Sequence, residues 1–198
     1  MWGLLEKDLL ALPGYGKVED MRTQARKLLA EAGITPQNPL KVEMSTRAIA
    51  MYVDLPSFVI NELKQVGIEA SLKQVETAQW HSMATLGEYQ IGANPTGLGV
   101  DEPDANYYEN YACGSPRNYS QYCNEEVMKL IEQQSQELNP QKRLALVGTL
   151  QKKLEADAAR PVLDWRLDYF TAWPHVKGMV PHDNIYNFGR MADVWRDK

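Results

Sequence analysis

Three acidic residues, Asp101, Glu102 and Asp104, surround Pro103 within four positions. Carboxylates so spaced suit an acid/base pair, a cation site, or a helix N-terminus. The favoured reading is structural: Asp104 caps a helix through Tyr107, Tyr108 and Tyr111. Two cysteines follow, Cys113 and Cys123. With nine residues between them and no histidine close by, they are a poor zinc pattern. Their spacing leaves open both a small disulfide loop and two free thiols. As a nucleophile, Cys113 would need a base that the sequence does not supply. The histidines are His81, His175 and His182. His175 and His182 flank a Gly/Pro turn, but a pair alone is weak evidence for a metal, and none is expected. There is no G-x-S-x-G, no phosphate-cradling glycine loop with a lysine, and no dinucleotide fingerprint, so no cofactor is expected.

What remains is binding chemistry. Tyr107, Tyr108, Tyr111, Tyr119 and Tyr122 crowd one segment, and Trp165, Tyr169, Phe170 and Trp173 come later. Such rings give large contact area with a polar handle, although at regular spacing they also build cores. The segment from Asn94 to Leu130 is rich in Gly, Pro, Asn and Tyr, which suits a binding loop on a rigid scaffold. Its first residues, Asn94, Thr96, Gly97, Leu98, Gly99 and Asp101, are the candidate ligand contacts. Backbone at Gly97 and Gly99 can approach a ligand closely, because no Cβ intervenes.

Alternating helices and strands must position that loop. Residues 1 to 17 read as irregular. Met21, Ala25, Leu28, Leu29 and Ala32 recur at helical spacing, with Gly33 at the end. Leu40 to Thr46 alternates as a strand. Leu55, Val59, Leu63 and Val66 line the helix of Tyr52 to Val66, with Pro56 near its start and Gly67 closing it. Ile68 to Glu76 is a second strand. A right-handed crossover makes the two strands parallel. Thr77, as N-cap, opens a short helix to Leu86. Tyr89 to Ala93 is a strand that runs into the loop, and ligand loops leave the carboxyl ends of such strands. Asn124 caps a helix carrying Val127, Leu130, Ile131 and Leu138. Asn139, followed by Pro140, caps another with Leu144, Val147, Leu150, Leu154 and Ala158 inward. The two form an αα-hairpin. Pro161 to Leu167 is extended, and short strands and turns complete the chain.

Composition sets the outer bounds. The chain has 198 residues, 44% hydrophobic and 24% charged, enough for one domain or one large lobe with its own core. A formal net charge of -5 argues against a nucleic-acid partner. No apolar run approaches the ~18 residues a membrane span needs. The first 16 residues are not a signal peptide, because Glu6, Lys7 and Asp8 interrupt them.

Four stretches in order resemble the family 5 extracellular solute-binding proteins, the peptide-, nickel- and opine-type binding components of ABC transporters. They are ARKLLAEAGI (25–34) before a strand of LKVEMST type, LPSFVINELKQVGIEASLKQVE (55–76), DEPDANYYENYACGSPRNYSQYCNEEVMKLI (101–131) and NPQKRLALVGTLQKKLEADAARPVL (139–163). The resemblance runs from about residue 20 to about residue 175. It implies an α/β fold: the C-terminal lobe of a two-lobed periplasmic binding protein, a mixed sheet flanked by helices, with ligand in the cleft between lobes. The expected division is an irregular segment at 1–18, the ligand-binding lobe at 19–175, and an extended tail at 176–198 packing on the lobe or on an N-terminal lobe. Many members carry a Trp-x-x-Asp whose Asp holds a peptide's amino group. Thr96 and Gly99 stand in those places here, and Asp101 is the candidate substitute.

The resemblance further implies export to the periplasm, with the signal peptide outside this chain, and it favours a Cys113–Cys123 bridge. The implied partners are a small-molecule or peptide solute, the N-terminal lobe and ABC permease subunits. The expected function is capture and delivery of an oligopeptide or similar small polar solute, without catalysis. The alternatives are an enzyme using the Asp101/Glu102/Asp104 cluster or Cys113, and a sensor or chaperone built on the same lobe.

Overall fold

A computed structural model describes residues 2–98, 100–164, 169, 171–180 and 191–197. Its core is a parallel sheet in the order β2-β1-β3, formed by β1 (Leu40–Arg47), β2 (Ile68–Val75) and β3 (Ile91–Gly92). The register pairs Met44 with Leu72 on one side and Ile91 on the other. Met44, Ser45 and Thr46 are all buried, because the central strand is flanked on both edges at its carboxyl end. The expected mixed sheet is therefore corrected. The described strands of this sheet are all parallel, as the helical crossovers require.

The connections are helices. The chain opens with α1 (Glu6–Leu9), a single turn where irregular chain was expected. Next come α2 (Val18–Glu31) before β1, α3 (Asp54–Lys64) between β1 and β2, and α4 (Thr77–Leu86) between β2 and β3. Gly33 and Gly67 stand just past α2 and α3 with φ of +79° and +95°, where a side chain would be strained. Pro56 lies in the first turn of α3, which has no intrahelical donor to lose there. The cap of α4 is Glu76, not Thr77: its carboxylate accepts from the amides of Ala78 and Gln79. On α2, Met21, Ala25 and Leu29 are half-buried, whereas Leu28 and Ala32 are exposed.

Two packed clusters hold the fold. Val75, Trp80, Met83 and Ala84 form the first, with Tyr89 and Tyr119 against them. The second lies between α5 (Pro103–Asn110), α6 (Glu125–Gln136) and α7 (Pro140–Ala156). It comprises Tyr107, Val127, Ile131, Val147, Leu150, Leu154 and Ala159, with Trp2 packed on its edge. Truncating Ile131 to Ala there would cost about 2–5 kcal/mol. Asn124 and Asn139 each cap their helix through the side-chain oxygen, as the sequence indicates. Leu138, Leu144 and Ala158 are exposed rather than inward. Leu138 falls after α6 has ended, Leu144 sits off the buried stripe of α7, and Ala158 has left the helix with φ of +48°.

Residues 161–164 form no strand. Further on, β4 (Val176–Lys177) pairs antiparallel with β5 (Trp195–Arg196). Trp165 and Phe170, two of the expected aromatic contacts, lie outside the described residues, and Tyr169 and Trp173 are exposed. No described helix is long and apolar enough to cross a membrane.

Candidate functional site

The candidate loop leaves the sheet at the carboxyl end of β3. Two contacts fix its start: the Ala93 amide donates to the Ser45 carbonyl at 2.9 Å, and the Thr46 hydroxyl lies 3.0 Å from both the Ala93 and Tyr52 carbonyls. Asn94 follows, half-buried, and Pro95 favours extended backbone before it. Gly97 and Leu98 are half-buried, Thr96 is exposed, and Gly99 lies outside the described residues. The Asn94 side-chain oxygen is buried without a hydrogen-bond partner.

Arginine chemistry surrounds this edge. Arg160, just past α7, donates through Nη1 to the Asn110 side-chain oxygen at 2.6 Å and through Nη2 to the Thr96 hydroxyl at 2.5 Å. Asn110 is buried on α5, so the guanidinium has a fixed anchor. Its positive charge opposes the upward pKa shift that burial gives the Tyr89 and Tyr111 hydroxyls. Arg47, at the end of β1, stacks 4.1 Å over the Tyr52 ring. None of these four residues, Arg160, Asn110, Arg47 and Tyr52, was singled out from sequence. Arg160 ends a helical stretch and precedes Pro161, which signals a helix end and nothing more. Its contact with Thr96 spans 64 positions and has no local signature.

The acidic cluster separates into different roles. Glu102 and Asp104 both face Arg143, and Asp104 also accepts from Gln134 and from the Ser135 hydroxyl. Glu102, rather than Asp104, is the N-cap of α5, without a side-chain cap bond, and Pro103 takes the first helical position. The expected Asp104 cap is thus corrected: its carboxylate is drawn to α6 instead. Asp101 is exposed and forms no ion pair among the described residues.

Cys113 and Cys123 are joined in a disulfide. A catalytic Cys113 thiol is therefore overturned, since bridged sulfur cannot act as a thiolate. Inside the bridged loop, the buried Asn118 amide donates to the carbonyls of Ala112 and Tyr122. His81 lies 3.4 Å from the Tyr119 hydroxyl, and His175 stacks on Trp173. His182 lies outside the described residues, and no group of three metal-ligating side chains occurs among them. The edge thus offers hydroxyls, an amide, backbone groups and guanidinium.

In open α/β sheets, ligands commonly bind outside the carboxyl ends of the strands, where this polar loop emerges. The sequence model described as bacterial extracellular solute-binding proteins, family 5 Middle, matches residues 7–118, more than half of the chain. The chain belongs to this family of solute-binding proteins. No curated protein sequence matches it. Among solved structures, it is similar to a putative peptide binding protein, AppA, from Clostridium difficile: 21% identity, 98% of this chain, 39% of that chain, TM-score 0.78. It is likewise similar to Haemophilus influenzae OppA in complex with RPPGFSPFR (21%, 94% and 37%, TM-score 0.76). A third is the ABC transporter-associated periplasmic binding protein DppA from Helicobacter pylori, in complex with peptide STSA (20%, 89% and 34%, TM-score 0.73). The chain spans little more than a third of these structures' length.

Proposed function

We propose that this chain is the C-terminal lobe of a periplasmic receptor that captures an oligopeptide or similar small polar solute and delivers it to an ABC permease. The observation that carries the reading is the edge itself. The loop 94–98 starts from Ala93, which Ser45 and Thr46 pin, it is bordered by Arg160, and it leaves the Asn94 oxygen buried without a partner. Family membership and the peptide-bound relatives support it. Asn94, Thr96, Gly97, Leu98, Gly99 and Asp101 are the proposed ligand contacts. The opposing wall of the cleft is an N-terminal lobe, and the tail from 176, of which 181–190 and 198 lie outside the described residues, is assigned to one lobe or the other. The lobe proper is 19–175.

The test is thermal denaturation with a panel of short peptides, metal chelates, sugars and opines. It is run on the protein that the natural reading frame encodes and on residues 1–198 alone. One class should raise the melting temperature of the former and leave the latter nearly unmoved, because half a cleft binds poorly. If no class stabilises the natural protein, the reading fails.

A further inference from the structure

We infer that Arg160 is the specificity-determining cation of this edge and that it receives a carboxylate of the solute beside Thr96. The inference rests on the solute-binding reading above and names the chemistry of its ligand. It begins with what Arg160 touches. Its two recorded partners, the Asn110 amide oxygen and the Thr96 hydroxyl, are neutral. Three arginines behave otherwise, Arg22 pairing with Glu19 and Glu62, Arg117 with Glu109, and Arg143 with Glu102, whereas Arg26 on the Gln65 carbonyl and Arg47 on the Tyr52 ring share the lack of a carboxylate partner. No ion pair to Arg160 occurs among the described residues, and Asp101, the exposed acid on the same loop, does not reach it.

The guanidinium is nonetheless held. Ala159 before it is buried, and Asn110 is 3% exposed and bonded in turn to Asn106. Two of the five N–H groups are committed in this way, which leaves donors free on a fork whose orientation is already set. A partly buried cation with neutral partners lacks the countercharge that such a group normally finds, and a planar carboxylate fits the fork in two parallel bonds. No second Lys or Arg contacts Thr96 or Asn110 among the described residues, so one carboxylate fills the place beside Arg160. Preorganisation means the ligand need not order this side chain on binding.

Calorimetric titration of the natural-frame protein with three probes tests this. N-acetyl-trialanine carries a carboxylate and no ammonium, trialanine carries both, and trialanine amide carries only the ammonium. Trialanine should bind at least about tenfold more tightly than its amide, the least that a charge-assisted hydrogen bond confers, and N-acetyl-trialanine reports the carboxylate without the ammonium. In Arg160→Gln the affinities of trialanine and its amide should converge, while Arg160→Lys should keep part of the preference. The wild-type ratio needs no variant, so a poorly folded Arg160→Gln protein does not shield the inference. Equal affinities of trialanine and its amide in the wild type, or a preference between them that survives in folded Arg160→Gln, would overturn it and leave solute binding standing. Binding of none of the probes would overturn it as well, with the peptide form of the broader reading.

Discussion

The Arg143 guanidinium bonds the carboxylate of Glu102 across 41 positions of chain, joining α7 to the segment that carries the candidate loop. Its Nε donates to the Gln134 oxygen at 3.2 Å, and the group lies 4.8 Å over the Trp2 ring. Gln134 is fully buried and reaches Asp104 in turn. Removing Arg143 leaves two carboxylates and a buried amide short of a partner. Arg143→Met should therefore cost about 1–3 kcal/mol, less than a fully buried pair because both ends keep some water. Urea unfolding midpoints measure it, and a loss within 0.5 kcal/mol (about the scatter of surface changes) would show the network to be incidental.

Reduction should loosen the same region. Cys113 and Cys123 are ten positions apart, and closing a loop of that size limits the unfolded chain by about 3 kcal/mol. Denaturation with and without dithiothreitol, repeated on Cys113→Ala/Cys123→Ala, reads the difference. The reductant should move the wild type toward the double variant and leave the variant itself unmoved.

Gly92 is where β3 passes under two aromatic rings. A Cβ there would lie 2.8 Å from Trp80 and 2.9 Å from Tyr89. Trp80 is 1% exposed and cannot withdraw. Gly92→Ala should destabilise by about 1–3 kcal/mol through overpacking. It should also change tryptophan fluorescence of the folded state. An unaltered midpoint would mean that the rings and strand are not packed this closely.

Alkali should unfold the protein through Tyr107. Burial, and then the neighbouring Tyr111, raise its hydroxyl well above the usual 10.0. Above pH 10 the unfolded chain releases this proton while the folded one keeps it, so the folded state binds more protons and stability falls as pH rises. The stability is fully present below pH 10 and is lost progressively from there toward the folded pKa, by up to about 1.4 kcal/mol per pH unit for one such group. Urea midpoints at pH 8 and pH 11 should diverge, and Tyr107→Phe should narrow the gap.

Asp101 is the free carboxylate of the loop, exposed and unpaired among the described residues. If it holds a solute's ammonium, Asp101→Asn should weaken trialanine amide by about three- to tenfold in the natural-frame protein and leave N-acetyl-trialanine unchanged. Equal loss for both probes would assign Asp101 to loop structure instead.

The alternation of helices and strands is legible in the residues alone, because apolar period and caps are local. Gly33 and Gly67 mark helix ends, Asn124 and Asn139 cap helices, and the β-α-β order makes the strands parallel. The segment from Asn94 onward is legible as well, since a Gly-, Pro- and Tyr-rich run after a strand announces itself. Which charges meet depends on how the helices pack. Nothing local predicts that Asp104 turns to Gln134 rather than to its own helix, that Glu102 finds Arg143, or that Arg160 reaches Thr96. Each of those contacts joins residues 30 or more positions apart, brought together only when α6 and α7 close over α5 and return the chain to the sheet's edge. The physical reason is range: backbone propensity acts over a turn of helix, whereas a guanidinium selects its partner from whatever the packed core places within about 3 Å.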